Sequence, residues 1–133
     1  MLDISAQLGT FNDDLHPQVM ANLIEVWCNA LVATNVVYLQ MYPDTPALYS
    51  SGVYYREERF GEEDFFDIPT VLEQGYADCE DLASWRAAEY LSVGVQARVV
   101  VSYQEFRGGD ILFHVRVQTP YGIEDPSARL GMN

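Results

Sequence analysis

A change of hydrophobic period at Gly94 constrains the fold of this chain more than any other feature of its sequence. Before that glycine, apolar residues recur at three- and four-residue steps, the spacing of a helix face. After it they alternate, and β-branched residues become frequent. A chain that spells helices first and turn-linked strands last has one economical solution, an α+β arrangement in which helices pack on an antiparallel meander.

The helical half can be divided by its punctuation. Asn12, Asp13 and Asp14 precede Pro17 and a stretch in which Met20, Leu23, Ile24, Trp27, Ala30, Leu31, Val37, Tyr38 and Met41 recur at three- and four-residue steps, which predicts a capped amphipathic helix, or two end to end, stopped by Pro43. Pro46 and Gly52 mark a loop leading to an extended piece at 53–55. The acidic connection from Glu57 to Asp67, with Phe60, Phe65 and Phe66 inside it, reads as a solvated loop anchored by phenylalanine in preference to a cation-binding surface. Pro69 and Gly75 bracket a short helix over 68–74. Asp78, with Asp81 three residues on, caps a further helix that carries Leu82, Ala83, Ala87, Ala88 and Leu91 and ends at Gly94.

The alternating half predicts a strand over 97–106, a turn at Gly108–Asp110, a strand over 111–119 and a return through Pro120, Tyr121 and Gly122 into Ile123, Glu124 and Asp125. In the second strand Ile111, Phe113, Val115 and Val117 share one face, and Leu112, His114, Arg116 and Gln118 share the other. One domain over residues 1–133 is expected, with a helical part at 1–74 and a second part at 75–131.

Charge and composition narrow the functions available. Twenty acidic residues against seven basic ones, a net charge of −13, would repel a phosphate backbone, so nucleic-acid binding is not expected. Every basic residue is an arginine, so the chain has no side-chain amine of its own to cross-link. Glu25, Asn29 and Asn35 interrupt the longest apolar stretch, and the first residues carry no basic-then-apolar leader. No membrane partner and no export signal are expected; the chain should be soluble, and cytoplasmic or virion-associated. Cys28 and Cys79 read as free thiols, and with only His16 and His114 beside them no four-ligand zinc site can be assembled at ordinary spacing. No metal or cofactor is therefore called for.

Chemistry concentrates at Cys79. A thiol on the first turn of a helix gains from unpaired N–H groups and the helix dipole, both of which favour the thiolate. His114 is the imidazole available to it, since His16 sits beside Pro17 away from any reactive group. A hairpin closed over Thr119–Gly122 would set Asp125 opposite Arg116 on the face that carries His114, where diagonal neighbours can meet. A loop one residue longer or shorter would turn Asp125 away. Taken singly, a helix cysteine and a strand histidine are usually structural; their order and contexts together point to nucleophile, base and orienter. Cys28, between Ile24 and Leu31, reads as core, while Trp85 and Arg86 read as packing and as an ion pair with Glu89 or Glu80. The Cys79 N–H is a natural oxyanion donor, and Gln74 is a candidate second donor.

Gly75-Tyr-Ala-Asp-Cys-Glu-Asp-Leu-Ala, Gly94-Val-Gln-Ala-Arg, His114-Val-Arg-Val and Glu124-Asp125-Pro126-Ser127, in that order and spacing, resemble the transglutaminase-like core over residues 75–131. The resemblance implies a cysteine-headed helix on a small antiparallel sheet, with Cys79 as nucleophile, His114 as base and Asp125 as orienter. It also implies acyl transfer through a thioester, in a group that includes peptidases, amidases, deamidases, amine transferases and members that have lost catalysis. Tyr42-Pro-Asp-Thr-Pro and Ser51-Gly-Val-Tyr-Tyr-Arg-Glu-Glu look like short members of that group from tailed-phage and bacterial genomes. A protein or peptide substrate is then expected; the alternative is a catalytically silent structural or adaptor component of a larger assembly, such as a phage particle. Two departures bear on activity: Arg116 stands where an aromatic residue is common and would compete for Asp125, and Asp78, Glu80 and Asp81 place negative charge around the thiol.

Overall fold

A computed structural model of the chain describes residues 4–6, 16–57 and 63–132. It mixes helices with three small sheets, an α+β architecture. Strand β1 (Ile4–Ala6) comes first, followed by helix α1 (Pro17–Met41), which runs unbroken for 25 residues instead of as two helices end to end. Its cap is His16, whose ring accepts the Gln18 N–H; the residues expected to cap it, Asn12 to Asp14, lie outside those described.

A single turn of 3-10 helix (Leu48–Ser50) leads to β2 (Tyr54–Tyr55). The acidic connection then yields a strand, β3 (Glu63–Phe65), where a loop was expected; it pairs antiparallel with β1, Phe65 opposite Ile4. Phe65 is buried as the anchoring argument requires. Helix α2 (Ile68–Gln74) follows, capped by Asp67 and closed by Gly75 at φ 85°, a left-handed conformation that costs glycine least.

Strand β4 (Tyr76–Ala77) pairs parallel with β2 and delivers the chain into α3 (Cys79–Ser92). Asp78 and Asp81 form the reciprocal capping box there. At the other end Val95 N–H reaches Tyr90 O and Gly94 N–H reaches Leu91 O, the paired closure that a left-handed glycine permits. Strands β5 (Arg98–Glu105), β6 (Ile111–Thr119) and β7 (Gly122–Glu124) form the antiparallel meander in the order β5-β6-β7. A four-residue helix, α4 (Pro126–Arg129), is capped by Asp125.

Helix α3 is the centre of the fold. Ala83 and Ala87 join Ile24, Cys28, Val99, Val115 and Val117 in one cluster, where α1 and α3 lie on β5 and β6. Small side chains let α1 approach closely, and Ser84 Oγ donates to the Cys28 carbonyl at 3.5 Å. The opposite side of α3 sends Leu82 and Trp85 into a second cluster with Leu48, Ile68 and Val71. Each of those two side chains is completely buried, a gain of about 2–3 kcal/mol apiece relative to exposure.

One polar residue was misread as an interruption. Asn35 is buried and its carboxamide oxygen accepts the Ile68 N–H at 3.0 Å, tying α1 to the start of α2. The carboxamide nitrogen of Asn35 is buried without a hydrogen-bond partner among the described residues. By length and composition α1 could cross a membrane, a test that the core helix of a soluble protein also passes. Its buried face, from Met20 to Asn35, packs instead on α3 and β5.

Candidate functional site

The β6–β7 register decides what faces what. Val117 lies opposite Glu124, Gln118 opposite Ile123 and Thr119 opposite Gly122. Continued one step past the ladder, the same register sets Asp125 against Arg116. Alternation then sends Val115 and Val117 into the core and His114 to the other face, on which Asp125 arrives. The two side chains meet: His114 Nε2 lies 2.8 Å from Asp125 Oδ2. Each is about a quarter exposed, so solvent and a substrate can both reach the pair.

Asp125 is held by a second contact, since its Oδ1 accepts the Ala128 N–H at 3.2 Å as the α4 cap. The expected competition from Arg116 does not occur. Among the described residues, the ion pair of Asp125 is with His114, and Arg116 Nε is buried without a hydrogen-bond partner.

Cys79 opens α3, the place the capping argument gives it, but its surroundings reverse the expected acidity. The side chain is buried, and its thiol donates to Glu80 Oε2 at 3.4 Å instead of to the imidazole. Burial, then the carboxylates of Glu80 and Asp78, push the Cys79 thiol well above its ordinary value. The backbone amide of Val115 is the opposing influence, favouring the thiolate. Cys79 and Val115, the residue next to His114, belong to the same buried cluster. The structure therefore joins His114 to Asp125 and sets the sulfur against the same strand, with no hydrogen bond between sulfur and ring.

Both oxyanion candidates already have partners. The Cys79 N–H is taken by Asp78 Oδ1 at 2.7 Å, and Gln74 Nε2 donates to the Tyr76 carbonyl at 2.7 Å. Asp81, expected to add negative charge at the thiol, is spent on backbone: its oxygens accept the N–H groups of Phe66 at 2.8 Å and Asp78 at 3.4 Å. The donor atoms of Asp78, Cys79 and Glu80 lie within 4.8 Å of one another, a spacing that a cation could bridge and that a search for four-ligand patterns passes over.

Tyr55 is a neighbour that no motif or periodicity singles out. It lies opposite Ala77 in the parallel β2–β4 pair, two residues before the cysteine, and packs against the clusters on both sides of α3. Burial, then the charges at Asp78, Cys79, Glu57 and Glu80, push its phenol up, so it stays a neutral O–H donor.

A second polar cluster occupies the far half of α3. Arg86 Nε meets Glu124 Oε2 at 2.6 Å and its Nη1 meets Glu89 Oε1 at 3.0 Å, realising the expected Glu89 pair and adding a partner from β7. Tyr49 and Tyr90 both donate to Glu124, and the Arg86 guanidinium stacks on both rings. Burial disfavours the Glu124 charge, but the hydrogen bonds from Arg86, Tyr49 and Tyr90 outweigh it and hold the carboxyl below its ordinary value. Glu89 also accepts the Leu48 N–H at 2.8 Å, so the network joins α3, β7 and the 3-10 turn.

No family model, no curated protein and no solved structure matches this chain.

Proposed function

We propose that the chain is a cysteine-dependent acyl-transfer enzyme with a transglutaminase-like core, acting on protein or peptide amides. The observation that carries this reading is the 2.8 Å contact between His114 Nε2 and Asp125 Oδ2, on the strand whose next residue, Val115, shares a buried cluster with Cys79. A carboxylate on Nε2 fixes the ring and leaves Nδ1 to accept the thiol proton. Cys79 Sγ then attacks the amide carbon, the C–N bond breaks, and the amine departs with the proton from His114. Water resolves the thioester, returning the thiol and releasing a carboxylic acid; an amine in place of water would give transfer.

The arrangement as it stands is a resting one. Before attack the thiol must exchange Glu80 for the imidazole. The Tyr55 hydroxyl, kept neutral beside the Cys79 segment, is a candidate oxyanion donor in place of Gln74, whose amide is already engaged.

A second reading has an observation of its own. The raised thiol and the occupied Cys79 N–H suit a silent structural or adaptor component of a larger assembly, such as a phage particle. Alkylation separates the two. Rates at Cys79 and Cys28, followed by mass spectrometry from about pH 5 to about pH 9, should show a Cys79 reaction that His114→Ala slows on the order of tenfold or more. If Cys79 reacts no faster than Cys28 and the histidine substitution changes nothing, the acyl-transfer reading is lost and the assembly reading stands.

A further inference from the structure

Of the twenty acidic and seven basic residues in the chain, α1 carries one, Glu25. The side of α1 turned away from the core shows Val19, Val26, Ala30, Ala33, Val37 and Met41, all exposed. Val26 is 63% exposed, Val37 53% and Met41 65%, values that leave most of each side chain in water. At about 100° per residue these six positions fall within one narrow sector of the helix. A charge-free apolar stripe running along a helix of a protein with net charge −13 is not the solvated face that the rest of the composition would predict.

We propose that this stripe is a self-association surface, on which a second copy of the chain packs α1 against α1, antiparallel, about a two-fold axis at Ala30. The pattern is self-complementary under that operation: Val19 meets Met41, Val26 meets Ala33 and Thr34, and Ala30 meets its own copy. The small residues fall at the crossing point, where backbones must approach, and the large ones toward the ends.

Charge selects the occupant. Two bodies of −13 repel through most of their surfaces, and α1 is the long element on which they can meet without facing like charges. A basic partner would be drawn to acidic faces that this stripe lacks. A lipid surface is a poor match, because the helix has no Lys or Arg to anchor it and the first basic residue after it is Arg56. The extent is sufficient: a helix pair about 33 Å long buries about 600 Å² per copy, near the lower bound of a specific interface. A dissociation constant on the order of micromolar is expected.

Sedimentation velocity on the full chain from about 1 to about 200 μM should show a dimer that Val26→Glu converts to monomer. The control Val93→Glu, at an exposed residue just past α3, should leave the dimer intact, with circular dichroism reporting that both variants fold. In Ala30→Cys, mild oxidation should link two copies through position 30; a dimer sensitive to Val26→Glu that fails to link there overturns the antiparallel register. A wild-type chain that stays monomeric throughout overturns the proposal. So does Val26-dependent binding to neutral phosphatidylcholine vesicles without dimerisation, which would assign the stripe to lipid.

Discussion

The two halves of α3 treat charge in opposite ways. At its start, Asp78, Cys79 and Glu80 gather groups that are negative or become so, and the thiol responds by holding its proton. One to three turns later, Arg86 meets Glu89 and Glu124 while two tyrosines complete the Glu124 shell. Opposite charges with filled hydrogen bonds are what a stable joint needs. Asp78 serves as the α3 cap, but the negative charge that it and Glu80 bring to a buried thiol keeps that thiol protonated, the kind of perturbed group that clusters at functional sites. The far half of the helix fastens; the near half holds something in reserve.

That division can be broken by experiment. The largest effect belongs to the reserve: His114→Ala should lower thioester formation at Cys79 by about 10²- to 10⁴-fold while leaving the urea midpoint almost unchanged. Should Arg86→Met damage thioester formation more than His114→Ala does, the two halves are not separate. Next comes the fastening itself. Arg86→Met leaves Glu89 and Glu124 unpaired near each other, and because these side chains keep some solvent the loss should be about 2 kcal/mol, read from urea unfolding. A loss within the error of the fit would mean that the network is idle.

Glu80→Gln sharpens the contrast from the other side. Removing that carboxylate should bring the thiol down and raise Cys79 alkylation near neutral pH, on the order of tenfold for each unit of pKa recovered. An unchanged rate would show that burial and Asp78 hold the proton without Glu80. The smallest effect is in acid. A carboxyl depressed on folding contributes stability that is present above its ordinary value, 4.5 for Glu124, and is lost as pH falls through the folded value. Wild type should therefore lose stability below that point more steeply than Glu124→Gln; parallel curves would remove Glu124 from the account.

Legibility in the sequence followed the same division between local and distant causes. The capping box at Asp78 and Asp81, the span 68–74 and the strand 111–119 are local statements, and the structure repeats them. The approach of Asp125 to His114 was readable too, because parity along a hairpin needs only the loop length. Strand β2 falls within the extended piece read at 53–55, but its two-residue partner β4 has no period to read and exists because distant segments lie alongside each other. The direction of the Cys79 shift was hidden for a related reason: a helix start is visible in sequence, but burial against β6 is not. The partners of Asn35 and Glu124, Ile68 N–H and Arg86, come from elsewhere in the chain and have no local signature.

The reversal at Pro120 and Tyr121 acts as a ruler. Glu124 and Asp125 are consecutive and serve opposite sides of the sheet, one reaching Arg86 and the other His114. A single inserted residue in that turn would exchange their sides, unfastening β7 and disarming the histidine in one stroke. Length changes there should be tolerated only in steps of two, so the Arg86–Glu124 joint and the His114–Asp125 pair are inherited together or lost together.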